Sequence, residues 1–228
     1  MALAALLGLA GALVPALPAA ADSNWVGVLP GASGVCPPQT DSYWVYQDNE
    51  DDNNENSADG WIGGIISDGN TRTTLCRTSS SRFAELTNDW YRVNFAVVAL
   101  SPNCPVGTVG FDRYFDDEDE GNTSDDYVPS GSATQADGNT TFRFCWYINV
   151  DGDNPEAPRY AFPDLGGSYG GWGDPDAGYA LQSGRVHTDD EDDAPSNDLS
   201  PVDSSLDWYR SMWLEGGDNT TLRTVRIA

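Results

Sequence analysis

The chain has no lysine, one histidine and two methionines in 228 residues, and the periodicity of amphipathic helices is nearly absent. Each shortage excludes something. Without Lys, all 11 bases are arginine, set against 36 acids for a formal charge of −25. A field of that sign repels nucleic acid and anionic membranes and favours cations. His187 stands alone, too few for a usual zinc site and in a place that leaves no general base for a Ser or Cys nucleophile. No Gly-x-Ser-x-Gly, P-loop or dinucleotide fingerprint is present. One catalytic route stays open, a carboxylate pair of glycoside-hydrolase type, but no pair stands out in the sequence.

Long apolar runs are missing after residue 21. Residues 1–21 are apolar or small, uncharged, and end Ala19-Ala20-Ala21 before Asp22. That pattern reads as a secretory signal peptide, although the usual positive start is lacking. Pro15 and Pro18 favour this over the alternative, a retained anchor of spanning length. After cleavage no membrane span would remain, and the product would be secreted, either extracellular or held at the cell surface.

What is present is repetition. Phe115-Asp116-Asp117-Glu118-Asp119-Glu120 follows Tyr114; Gln47-Asp48-Asn49-Glu50-Asp51-Asp52 follows Tyr46; Thr188-Asp189-Asp190-Glu191-Asp192-Asp193 follows His187. Downstream of each lies an echo: Asp68-Gly69-Asn70-Thr71, Asp137-Gly138-Asn139-Thr140 and Gly217-Asp218-Asn219-Thr220. Residues 48–59, 112–126 and 189–198 hold 20 of the 36 acids, so the acidity is not a diffuse coat. The repeat divides the chain after the signal into β-units at 22–88, 89–167 and 168–228.

The same repeat pairs the cysteines. Cys36 and Cys104 each lie 11 residues before the start of their acidic run, and Cys76 and Cys145 each lie six after the Asn of the echo. In the third unit those offsets fall on Ala177 and Val225, so both partners are lost together. Two intra-unit disulfides are expected, Cys36–Cys76 and Cys104–Cys145, in an oxidising compartment.

Strand-like runs bounded by Gly, Pro, Asn and Asp dominate: 25–29, 43–47, 61–66, 71–77, 92–100, 111–115, 140–148, 179–181, 184–188, 208–214 and 221–227. Val97-Val98-Ala99-Leu100 is continuously apolar, as in a strand buried on both faces. A short helix fits 79–88. The fold class is therefore all-β, with three units of about 65–70 residues. They either close around a pseudo-threefold axis, as in β-trefoils and β-prisms, or follow one another as tandem modules.

Acidic loops at strand ends suggest Ca²⁺, which collects six to eight hard oxygen ligands. The candidate ligands are Asp48, Glu50, Asp51 and Asn54; Asp116, Glu118, Asp119 and Asn122; and Asp189, Glu191 and Asp192. The alternative is a solvated acidic loop, and no EF-hand spacing is present. Asp151-Gly152-Asp153-Asn154-Pro155-Glu156 is a further loop that suits either a metal or an ordinary turn. For a glycan ligand, the rings placed outside the core would be Tyr169, Trp172 and Tyr179, in the glycine-rich 166–178 stretch. The competing role of any aromatic is core packing.

The run Tyr114 to Asn122, with Asn139-Thr140-Thr141-Phe142-Arg143-Phe144-Cys145 and Phe162-Pro163-Asp164-Leu165-Gly166, resembles exported bacterial proteins of no known activity. These carry a repeated Asp-Asp-Glu-Asp…Asn-Thr-Thr…Cys pattern. The resemblance implies a secreted, repeated β-protein and attaches no activity. The expectation is a secreted or cell-surface binding protein, calcium-stabilised, lectin-like and non-catalytic, whose partner is an extracellular glycan or surface component. Its rivals are a secreted glycoside hydrolase and a structural component of an extracellular matrix or filament.

Overall fold

The structure, a computed structural model, describes residues 24–31, 33–49, 54–87, 95–117, 121–147, 168–173, 180–190, 196–200, 213–216 and 219–227. Among them are fifteen strands and one short 3-10 helix, Ser80–Thr87. The first five strands are β1 (Trp25–Pro30), β2 (Ser42–Gln47), β3 (Ser57–Gly60), β4 (Ile65–Ser67) and β5 (Thr71–Ser79). The next five are β6 (Phe95–Ala99), β7 (Val109–Phe115), β8 (Asp125–Tyr127), β9 (Gln135–Asp137) and β10 (Asn139–Tyr147). The last five are β11 (Tyr169–Gly173), β12 (Gln182–Thr188), β13 (Asp198–Ser200), β14 (Trp213–Gly216) and β15 (Asn219–Ile227). Apart from that helix the described residues are all-β, and every pairing among them is antiparallel.

Three long pairs carry the acidic runs. β2 lies on β5, β7 on β10 and β12 on β15. Toward the acidic ends of these pairs burial alternates along the strand, as at Val45 and Gln47, Thr140 and Phe142, and Val186 and Thr188, so one face there is turned to the interior. Lead-in strands β1, β6 and β11 flank β5, β10 and β15 respectively, and each of the three also pairs with the other two. Short third strands cross over: β8 adds to β2, β13 to β7 and β3 to β12. Each crossing strand thus joins a hairpin from another part of the sequence.

Two apolar clusters fill the interior. On β10, Phe142, Phe144 and Trp146 belong to one, while Cys145 and Tyr147 belong to the other. The strand is buried on both faces there, which is why its alternation does not reveal a single inward side. β6 is buried along its whole length, as its continuous apolar run requires. Phe83, on the 3-10 helix, packs against Tyr147 and Tyr169 at ring separations of 5.4 and 5.8 Å.

Both disulfides join the expected partners, Cys36 to Cys76 and Cys104 to Cys145. Cys76 lies opposite Val28, Cys145 opposite Val97 and Val225 opposite Gly171. The third of these sites is apolar and fully buried without a staple.

Tyr169 and Trp172 correct the sequence expectation. Both are only 1 % exposed and lie in the core, so neither offers a face to a ligand. The described part of their glycine-rich stretch, Tyr169–Gly173, is the strand β11, not a display loop. The glycines are there for close packing: a Cβ on Gly170 would stand 2.0 Å from the Trp61 ring and 2.4 Å from the Val225 carbonyl. Trp61 is pinned in turn, its carbonyl accepting from Thr224 Oγ1 at 2.6 Å and its N–H donating to the Ser183 carbonyl. It lies between β3 and the turn at Gly63 and Gly64, and of the expected 61–66 strand only the end is strand, in β4. Gly170→Ala is expected to cost about 3 kcal/mol, as overpacking does, read as a lower denaturant midpoint; an unchanged midpoint would contradict this packing. Tyr179 lies outside the described residues.

Candidate functional site

The acidic runs begin where β2, β7 and β12 end. At the last outward-facing position stand Tyr46, Tyr114 and His187. Asn70 Nδ2 donates to Tyr46 Oη at 2.9 Å, and Asn139 Nδ2 donates to Tyr114 Oη at 2.5 Å. His187 Nδ1 meets Thr221 Oγ1 at 2.8 Å instead. The lone histidine thus fills a bracing position, and a cross-strand hydroxyl takes over the bond.

Three residues further on, the backbone is clamped. The N–H groups of Asn49, Asp117 and Asp190 donate to the side-chain oxygens of Asn70, Asn139 and Asn219 at 2.9, 2.8 and 2.9 Å. Their side chains then meet the next threonine hydroxyl. Asn49 Nδ2 donates to Thr71 Oγ1 at 3.4 Å, while Thr140 and Thr220 donate to Asp117 and Asp190 at 2.5 and 2.7 Å. This is the structural use of the Asn-Thr echoes.

Between these two positions lie Asp48, Asp116 and Asp189, and each reaches across to a different stretch of chain. Asp48 Oδ2 accepts from the N–H and hydroxyl of Thr123, at 2.7 and 2.6 Å. Asp116 Oδ2 accepts from the N–H and hydroxyl of Ser196, both at 2.7 Å. Asp189 Oδ2 accepts from the N–H of Glu55 at 2.6 Å. The contacts are returned: Ser124 Oγ, Asn197 Oδ1 and Asn56 Oδ1 accept from the N–H groups of Asp48, Asp116 and Asp189. In each case the loop seven and eight residues past one acid is held by another. The exchange runs from the first run to the second, to the third, and back to the first.

These bonds place several of the candidate metal ligands. Asp48, Asp116 and Asp189 each have one oxygen committed to loop N–H groups, charge-assisted bonds that are among the stronger kind. Asn54 Oδ1 accepts from the Asn56 N–H and Asn122 Oδ1 from the Ser124 N–H, shaping turns. Glu50, Asp51, Glu118, Asp119, Glu191, Asp192 and the 151–156 loop lie outside the described residues. Among the described residues no group of three or more His, Cys, Asp or Glu is arranged to hold a metal.

Two carboxylates stand out that the sequence reading had not separated from their runs. Asp117 and Asp190 are 0 % and 1 % exposed. Burial pushes the Asp117 carboxyl up to about 7 against the pull of Thr140 and Ser124, and the charge of Asp190 adds to the rise. Burial likewise raises Asp190 to about 7, opposed by Thr220 and by the Arg113 guanidinium. Arg113 also donates to Thr220 Oγ1. Gln47, 2 % exposed, leans on Asp117, yet its Nε2 has no partner of ordinary hydrogen-bond geometry. Neither do the Oδ1 atoms of Asp117 and Asp190. The position two residues past each strand end gives the signal in sequence: it reads Asn, Asp, Asp.

On the surface, a polar recess of about 350 Å³ is lined by Ser57, Ala58, Asp59, Arg185, His187 and Thr221. Arg185 and Asp59 are paired across it at 2.8 Å. No protein-family model, no curated protein and no solved structure matches this chain.

Proposed function

We propose that the chain is three copies of one five-strand block arranged about an approximate threefold axis, and that it serves outside the cell as a non-catalytic, calcium-responsive binding protein. The observation that carries this is the closed ring of exchanges from Asp48 to Thr123, Asp116 to Ser196 and Asp189 to Glu55. Such a ring fastens together the starts of the three acidic runs, at Asp48, Asp116 and Asp189. Their mutual repulsion is relieved by cations, and oxygen-rich loops suit Ca²⁺. Two disulfides fit an oxidising compartment.

The hydrolase alternative loses its best pair. Asp117 and Asp190 both have raised carboxyls, as the acid of a carboxylate pair would need, but both are sealed in the interior. A filament role draws no support from the sheet margins either. The terminal strands β3 and β13 are four and three residues long and carry Asp59 and Asp198, features that block edge-to-edge pairing. With Tyr169 and Trp172 in the core, a glycan would be taken by the recess beside His187, whose polar lining suits sugar hydroxyls.

Melting the mature chain in EGTA and then in excess Ca²⁺ tests the calcium reading. The expected result is a midpoint several degrees higher with Ca²⁺, as mass action requires when an ion binds only the folded state. An equal midpoint in both buffers would overturn it. Glycan-array binding lost on Arg185→Ala would support the recess as the ligand site.

A further inference from the structure

Tyr46, Tyr114 and His187 mark one position of the repeat, and two residues before each stand Trp44, Asp112 and Arg185. In the second unit Asp112 lies opposite Arg143, whose Nη2 donates to Asp112 Oδ2 at 2.6 Å. In the third, Arg185 lies opposite Asp59 and pairs with it at 2.8 Å. The fold is thus content with an ion pair at this position. The first unit has rings instead: Trp44 lies opposite Thr74 on β5 and Tyr127 on β8. Tyr127 is 59 % exposed, although Tyr43 braces its ring at a centroid distance of 5.6 Å. Beside them Arg72, opposite Tyr46, holds its guanidinium 5.1 Å from the centroid of the Trp44 ring. Acids outnumber bases 36 to 11 in the chain. Arg72 is nonetheless exposed and forms no ion pair or hydrogen bond among the described residues.

We propose that this face of the first unit, with Trp44, Tyr127 and Arg72, binds an acidic sugar, a hexuronate residue of an extracellular glycan. A pyranose offers a flat C–H face, which packs on an exposed aromatic ring, while a few placed polar groups fix its orientation. A guanidinium meets a carboxylate through two parallel, charge-assisted bonds. The contact with Trp44 steadies the Arg72 guanidinium through its flat face and leaves its N–H edge for the ligand. A neutral sugar would leave that charge unmatched. Asp125 lies across Tyr46 from Arg72 and can accept from the sugar's hydroxyls. This rests on the glycan reading above and adds to the recess beside His187 a second place, with a sugar class of its own.

Calorimetric titration of the mature chain with trisaccharides of galacturonate, glucuronate and mannuronate, each as free acid and as methyl ester, tests the site. At least one free acid is expected to bind, and its ester at least tenfold more weakly. Arg72→Gln should remove that difference, and Tyr127→Ala should weaken acid and ester alike by tenfold or more. Both side chains are exposed, so neither change is expected to move Tm by more than about 2 °C. Hexuronate binding that survives both substitutions would overturn this face, and its loss on Arg185→Ala would place the acid in the recess instead. Failure of every hexuronate, with other glycans still bound on an array, would overturn the sugar class and leave the glycan reading. No glycan bound at all would overturn both. A dimer in sedimentation that Tyr127→Ala converts to monomer would show a second copy covering the rings, and would overturn the sugar site too.

Discussion

Asp117→Asn and Asp190→Asn are each expected to stabilise the metal-free protein at pH 8 by about 2–4 kcal/mol and to leave it nearly unchanged at pH 4. The sign follows from where the proton is held. Both carboxyls sit near 7 in the fold against an ordinary value of 3.8. Between about pH 4 and 7 the folded state keeps protons that the unfolded chain releases, so stability falls as pH rises through that window. Above it the full penalty of two buried carboxylates applies. Asparagine removes the ionisation and keeps an acceptor for the Thr140 or Thr220 hydroxyl. At about 2–4 °C per kcal/mol for a chain of this size, the gain at pH 8 is a rise of roughly 5–15 °C in Tm. Thermal melts across pH 4–8 check it. A variant that melts below wild type at pH 8 would show that the charge is compensated by the protein itself.

Removing a disulfide is the second large effect. Each closes a loop of 40 or 41 residues, and losing such a cross-link costs about 3–4 kcal/mol. Val225 supplies the design for an apolar replacement, since it fills the register place that Cys76 and Cys145 fill elsewhere. Cys104→Ala with Cys145→Val is therefore expected to fold and to melt roughly 6–16 °C below wild type. Adding reductant should lower the wild-type midpoint further than the variant's, because the variant has only one bridge left to lose. A variant that melts with wild type would mean that folding, not the staple, holds these ends together.

Much of the fold could be read in the sequence because the repeat carries independent marks. Spacing from the acidic runs fixed the cysteine pairs, and aromatic and β-branched alternation located β2, β5, β7, β10, β12 and β15. The strands that escaped are short and polar: Ser57–Gly60, Asp125–Tyr127, Gln135–Asp137 and Asp198–Ser200. Each carries a single apolar or aromatic residue, Ala58, Tyr127, Ala136 or Leu199, too little to show an alternation, and the ladder partners of all but Gln135–Asp137 lie far away in sequence. β11 escaped for the opposite reason. Its glycines read as a loop, but they are what lets Trp61 and the Ala96 carbonyl come close. At the site, acid count suggested ligands, whereas the structure spends Asp48, Asp116 and Asp189 on fastening loops. A count of like charges does not distinguish a carboxylate facing water from one facing an N–H group or the interior.

The ring of fastenings is best tested by amide hydrogen exchange on three single variants. Asp48→Ala should speed exchange at Thr123 and Ser124, Asp116→Ala at Ser196 and Asn197, and Asp189→Ala at Glu55 and Asn56. Each loosened loop then belongs to a different unit from the altered acid, in cyclic order. Exchange that quickens instead in the altered acid's own unit, or in no loop, would contradict the account.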